Sequence, residues 1–124
     1  MPDLLSKRPV VLVVEDEPLL RMNAVDIVEE AGFEVIEAGN ADDAIAILES
    51  RNDIRVVFTD VQIPGSMDGL KLARAVRGRW PPIQIIATSG RVKVSGADLP
   101  DGGQFLAKPY TPSQVARVLI QLIS

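Results

Sequence analysis

A run of β-branched and apolar residues, Val56-Val57-Phe58-Thr59, ends in a carboxylate, Asp60. This pattern narrows the possible folds more than any other stretch of the chain. Consecutive residues of this kind suit a strand buried on both faces, as in a parallel sheet. An acid at its end then lies on the sheet's C-terminal edge, where open α/β sheets take their ligands. The residues beyond, Val61 to Gly69, carry one Pro and two Gly and read as a loop before a helix. One acid at such a place could equally begin a turn; the other strand ends decide against that.

Val10 to Val14 is a second β-branched run, and it is followed by Glu15-Asp16-Glu17. Pro18 suits the first turn of a helix, whose inner face is expected to hold Leu20, Ala24, Ile27, Val28 and Ala31, with Gly32 as its stop. Leu19, Met22 and Val25 make a second apolar stripe, which serves either as extra core or as a partner-facing patch. Phe33 to Ala38 alternates with Glu34 and Glu37, the pattern of a strand near the sheet edge. Asn40 with Asp43 resembles a capping box for a second helix that buries Ala44, Ile45 and Leu48.

A third helix is expected from about Asp68 to Arg77, ending at Gly78. Its Lys71, Arg74 and Arg77 read as a solvated face, since cations near a helix C-terminus complement the dipole. Ile83 to Thr88 predicts the fourth strand, ending at Thr88-Ser89-Gly90, and Gln104 to Ala107 a brief fifth. Between them, Arg91 to Gly103 holds three Gly and one Pro, so a fourth helix there is short or degraded. Thr111, Pro112 and Gln114 open a last helix through a capping box, with Val115, Val118, Leu119 and Leu122 inward. Strands alternating with helices predict an α/β (βα)5 domain with a parallel five-stranded sheet between helical layers.

The 124 residues suffice for one domain, expected over 1–124 with an ordered core at about 9–123. A net charge of −4 argues against non-specific nucleic-acid binding. The chain has no Cys and no His, so it has no disulfide, no histidine base and no zinc site of the usual kind. Pro9 to Val14 is too short an apolar run for a signal segment or a membrane span, so a cytoplasmic protein is expected.

In a parallel sheet the strand ends share one edge, so Glu15, Asp16, Asp60, Thr88, Ser89 and Lys108 converge there. Two carboxylates about 4 Å apart repel by roughly 4 kcal/mol at an effective dielectric of ~20, so three do not stay ionised together without a cation. An all-oxygen site selects a hard ion, by default Mg²⁺. A metal ion beside a carboxylate and facing a lysine makes a place for a phosphoryl group, whose charge is spread over its oxygens. The cluster therefore points to phosphoryl transfer to Asp60.

Four pieces in order, Val13-Val14-Glu15-Asp16-Glu17, Thr59-Asp60 with Pro64-Gly65 and Met67-Asp68-Gly69-Leu70, Thr88-Ser89-Gly90, and Lys108-Pro109-Tyr110, resemble the response-regulator receiver domain of two-component signalling. The resemblance covers essentially the whole chain. It implies the flavodoxin-like strand order 2-1-3-4-5, with Asp60 as the phosphoacceptor that attacks a phosphohistidine. It implies Mg²⁺ held by Glu15, Asp16, Asp60 and the backbone carbonyl of Gln62. Ser89 resembles the hydroxyl that turns toward the phosphoryl group, with Thr88 as the alternative, and Lys108 resembles the lysine that pairs with a phosphoryl oxygen. The Lys108–Pro109 bond is expected to be cis. Gln62 and Arg91, two residues after Asp60 and Ser89, are expected to set the lifetime of the phosphoryl group.

Three departures bear on output rather than on phosphorylation. The loop Pro64-Gly65-Ser66-Met67 is one residue longer than the common form, the switch aromatic is Phe105 and lacks a hydroxyl, and the fourth helix is degraded. The segment Arg91 to Gly103 is expected to be the most mobile internal part of the chain, and signalling is expected through the first helix (Leu19, Met22) rather than through a DNA-binding dimer. The implied partner is a histidine kinase or a histidine phosphotransferase, for a domain that stands alone or is excised from a longer protein, with no direct nucleic acid and no membrane. One rival is a Mg²⁺-dependent aspartyl phosphohydrolase resembling haloacid dehalogenases; those carry a second Asp where this chain has Gln62. Another is a non-phosphorylated pseudo-receiver scaffold, against which Asp60, Ser89 and Lys108 speak. A nucleotide-binding fold would need a Gly-rich turn where Glu15-Asp16 stand.

Overall fold

The structure, a computed structural model, describes residues 8–90 and 98–123. Five strands, β1 (Val10–Val14), β2 (Glu34–Ala38), β3 (Ile54–Asp60), β4 (Gln84–Ser89) and β5 (Gln104–Ala107), form one parallel sheet in the order β2-β1-β3-β4-β5. Four α-helices accompany them among the described residues: α1 (Pro18–Glu30), α2 (Ala41–Ser50), α3 (Gly69–Arg79) and α4 (Pro112–Ile123). This is the predicted flavodoxin-like topology. The chain goes outward from β1 to β2 and then returns past β1 to β3, so a crevice opens beyond the C-terminal ends of β1 and β3.

The period-2 geometry of strands sorts the apolar runs into two cores. Leu12, Val14, Val57 and Ile85 face Leu48, Leu72 and Val76 of α2 and α3. Val11, Val13, Phe58 and Ile86 face Ala24, Val28, Val115 and Leu119 of α1 and α4. With both faces covered, the central strands read as unbroken β-branched runs, and β1 is buried at every position. The edge strand β2 is less covered, with Glu34 and Glu37 exposed, Val35 and Ile36 half-buried and Ala38 buried.

Several boundaries differ from expectation for local reasons. β3 begins at Ile54, because the β1–β3 register shifts between Val10 and Val11 and leaves the exposed Arg55 without a partner position. β4 extends through Ser89. α3 runs through Gly78 to Arg79 and is stopped by Trp80-Pro81-Pro82, since a residue before proline is steered away from helical dihedrals. Arg77 does not belong to the solvated face: it is half-buried, and its Nη1 donates to the carbonyls of Pro81 and Ile83 at 2.5 and 3.2 Å, tying the end of α3 to the entry of β4. Leu20, expected inside, is 45% exposed, because the first turn of α1 borders the open cleft at the strand ends rather than the core. Of the second stripe of α1, Leu19 and Met22 are 72% and 60% exposed, whereas Val25 packs on the α1–α4 core.

The caps follow the sequence more closely. Asn40 Oδ1 accepts from Asp43 N at 2.8 Å, and Thr111 and Gln114 exchange reciprocal bonds of 3.1 and 2.8 Å. Most of the place expected for a degraded fourth helix, 91–97, lies outside the described residues, and 98–103 carries no α-helix. No described helix is long and apolar enough to cross a membrane.

Candidate functional site

The ends of β1, β3 and β5 bring Glu15, Asp16, Asp60 and Lys108 together. One carboxylate oxygen from each of Glu15, Asp16 and Asp60 lies within 4.8 Å of the others. Glu15 and Asp60 are buried and Asp16 is exposed. Lys108 Nζ donates to Glu15 Oε1 at 2.8 Å and to Asp60 Oδ2 at 3.1 Å, so one ammonium bridges two of the three acids. The other oxygens of Glu15 and Asp60 are also bonded, with Glu17 N donating to Glu15 Oε2 at 3.3 Å and Gln62 N to Asp60 Oδ1 at 3.2 Å. These residues line an open cleft of about 400 Å³ with Glu17, Leu20, Gln62 and Gly90.

Burial pushes the Glu15 carboxyl up from its ordinary pKa and neighbouring Asp60 adds to the rise, against the opposing bond from Lys108. Burial would lower the Lys108 pKa, but its bond to Glu15 and the attraction of Asp60 and Glu15 together outweigh it and raise the value. The ammonium is therefore held protonated as the cluster's internal counter-ion. Three carboxylates against one ammonium still leave an excess of negative charge, and the donors are all hard oxygens. That chemistry fits a small divalent cation such as Mg²⁺.

Local structure fixes where Asp60 sits. Val61 N donates to Thr88 O at 2.9 Å, and Gly69 N donates to Val61 O at 2.8 Å, so the start of α3 presses on the end of β3. A Cβ at Gly69 would stand 2.1 Å from the Asp60 carbonyl oxygen and 2.8 Å from Val61 Cα, so only glycine fits there. The loop from Pro64 to Met67 has a definite path. Ser66 Oγ donates to Asp42 Oδ1 at 2.6 Å and Ser66 N to Asp42 Oδ2 at 3.3 Å. Ala41 N donates to Pro64 O at 3.5 Å, and Gly65 takes a φ of +113°, which favours glycine. The loop is thus docked on the N-terminus of α2.

Thr88 pairs with Asp60 in the ladder, and Ser89 ends the strand, with its carbonyl accepting from Lys108 N at 3.0 Å. Both residues are buried. The Lys108–Pro109 peptide is cis, as expected. Gln62 is exposed at the cleft, Phe105 is half-buried on β5, and Arg91 lies outside the described residues. Sequence reasoning missed the Lys108–Glu15 bond and the close approach at Gly69, although a glycine directly after the Asp68 cap was a signal for the latter.

The comparisons with known proteins agree with this geometry. The family model for the response regulator receiver domain matches residues 11–119. The chain is 34% identical over 123 residues to the sensor kinase CckA of Brucella abortus, covering 96% of this chain and 13% of that protein. It is 38% identical over 115 residues to the transcriptional regulatory protein AruR of Pseudomonas aeruginosa, covering 86% and 46%. It thus spans less than half of either relative. A solved response regulator receiver protein from Sinorhizobium medicae superposes with a TM-score of 0.85 at 30% identity, covering 94% of each chain. With the family's fold, its ordered strand-end residues and a match over most of its length, this chain belongs to the response-regulator receiver family.

Proposed function

We propose that the protein is a phosphoacceptor in a two-component or phosphorelay pathway, and that Asp60 receives the phosphoryl group. The reading is carried by one observation above all, the meeting of Asp60 with Glu15, Asp16 and Lys108 in an open cleft at the crevice of the sheet. Glu15, Asp16, Asp60 and the main-chain carbonyl of Gln62 are the residues that would hold Mg²⁺, which when bound offsets the negative charge of the phosphoryl oxygens. An Asp60 carboxylate oxygen attacks phosphorus in a phosphohistidine, a P–O bond forms, the P–N bond breaks, and the imidazole leaves. Lys108 then exchanges its bond with Asp60 for one with a phosphoryl oxygen. The buried hydroxyl at the end of β4, Ser89 with Thr88 as its alternative, donates to another. Gln62, exposed at the cleft, and Arg91, two residues after Ser89 in the sequence, are the residues that set the lifetime of the acyl phosphate. The protein is a signalling component, and its chemistry acts on itself.

The donor is a histidine kinase or a histidine phosphotransferase. Leu20 lines both the cleft and a second, mostly apolar hollow of about 350 Å³ with Asn23, Pro109 and Tyr110, and Leu19 and Met22 stand exposed on the same end of α1. An amphipathic helix that carries its phosphohistidine on a partly apolar face suits this surface. Phosphorylated kinases and phosphotransferases should be offered to the protein in turn. Rapid uptake from at least one, and none by Asp60→Asn, is the expected result; no uptake from any, alongside a control receiver that is labelled, would overturn the proposal.

A further inference from the structure

We infer that Arg21 is a positioning residue for the acidic turn between β1 and α1, clamping it in the shape that receives the cation. The inference rests on the reading that Glu15, Asp16 and Asp60 hold Mg²⁺. Arg21 lies one turn into α1, with its N–H donating to Glu17 O at 2.9 Å. Its side chain turns back over the sheet edge. Nη1 donates to the main-chain carbonyl of Glu15 at 2.9 Å, and Nε to Glu37 Oε1 on β2 at 3.2 Å. The Glu15 N–H donates to Ala38 O at 3.0 Å, so the peptide groups of Glu15 are held from both sides. Gly39 makes room for this, because a Cβ there would stand 3.1 Å from Nη1.

The physical need is plain. Glu15, Asp16 and Glu17 are three consecutive acids, two of which share a 4.8 Å cluster with Asp60. Their repulsion favours opening the turn. A guanidinium has a planar fork that reaches two acceptors at once, whereas an ammonium is a point charge without that geometry. Glu37 on one side and Gly39 beneath orient the fork, so its second arm meets the carbonyl of Glu15. Ligand-orienting partners of this kind govern metal affinity without touching the metal.

Geometry and charge predict opposite signs. On charge alone, removing a cation near the site tightens Mg²⁺ binding. If Arg21 acts as a clamp, its removal loosens binding. Mg²⁺ is titrated by calorimetry into the wild-type protein, Arg21→Ala, Arg21→Lys, Gly39→Ala and Glu37→Gln. Arg21→Ala is expected to weaken binding by about tenfold. Arg21→Lys keeps the charge but loses the fork, and should weaken it nearly as much. Gly39→Ala keeps the whole side chain and displaces it, giving a smaller loss. Glu37→Gln keeps an acceptor for Nε and should stay within about twofold. Hydrogen exchange of the Glu15 amide in metal-free protein provides the second readout, and should quicken in Arg21→Ala, Arg21→Lys and Gly39→Ala. Should Arg21→Ala fail to fold, Arg21→Lys and Gly39→Ala decide. Binding as tight as wild type or tighter in both arginine variants, with unchanged exchange, overturns the clamp. Absence of Mg²⁺ binding by the wild-type protein overturns the metal reading instead, and the exchange rates alone then judge the clamp.

Discussion

Lys108→Met removes the ammonium that bridges Glu15 and Asp60 while keeping most of the apolar stem. The lysine side chain is 19% exposed, and the Glu15 and Asp60 side chains only 6% and 11%, so both bonds lie largely out of water. Removing one partner of a fully buried pair costs about 3–5 kcal/mol. Discounting for the open cleft, the metal-free variant should lose about 2–4 kcal/mol at neutral pH. For a domain of this size that corresponds to a fall of roughly 8–15 °C in Tm. The pH dependence has a definite sign. The Glu15 pKa is raised in the folded protein, so its contribution to stability is present in acid and is lost as pH rises through the folded value. The Lys108 pKa is also raised, so the lysine's contribution persists across neutral pH and disappears only above the ordinary lysine range. Without the ammonium, Glu15 becomes harder still to ionise. The gap between variant and wild type should therefore shrink on acidification, as Glu15 takes up a proton, and also on adding Mg²⁺. Thermal unfolding with a chelator, at several pH values, measures this. A Tm within 2 °C or so of wild type at neutral pH, or a gap that widens toward acid, refutes the counter-ion role.

Three further outcomes are expected. Asp16→Asn relieves part of the carboxylate repulsion, so the metal-free protein should gain stability by about 1 kcal/mol, while phosphorylation at low Mg²⁺ falls; urea unfolding and acetyl phosphate labelling check the two halves, and normal labelling at low Mg²⁺ contradicts the ligand role. Gly69→Ala drives a Cβ into the Asp60 carbonyl, so a loss of about 3 kcal/mol or more in urea unfolding is expected, together with slower labelling of Asp60. Replacing Leu19 and Met22 together by Ser should slow transfer from a phosphohistidine donor more than labelling by acetyl phosphate, and equal slowing of both would remove α1 from the docking surface.

The parts of the fold most legible in the sequence were those whose physics is local or periodic. Val10–Val14 and Val56–Asp60 declare strands covered on both faces, and Asn40, Thr111 and Gln114 declare helix starts through side chains that bond their own backbone. The acids and the lysine were also visible, because a parallel sheet sends every strand end to one edge. What stayed hidden depends mostly on how segments meet, and in one case on which of two local stop signals prevails. Leu20 fits the inward period of α1, yet the first turn borders the cleft and leaves it 45% exposed. Gly78 looks like a helix stop, but the prolines after Trp80 set the end. The bond of Lys108 to Glu15 and the latch of Ser66 on Asp42 join residues far apart in sequence, and the reach of Arg21 to the Glu15 carbonyl, six residues back, depends on Glu37 of β2 to aim the side chain.

The central claim is tested most directly by incubating the protein with acetyl phosphate and Mg²⁺, measuring its intact mass, and locating the modified residue. One added phosphoryl group, present as an acyl phosphate on Asp60 and missing from Asp60→Asn, is the expected result. Labelling of Asp60→Asn to the wild-type level, or an acyl phosphate found on another carboxylate in the wild-type protein, contradicts the assignment of Asp60 as phosphoacceptor.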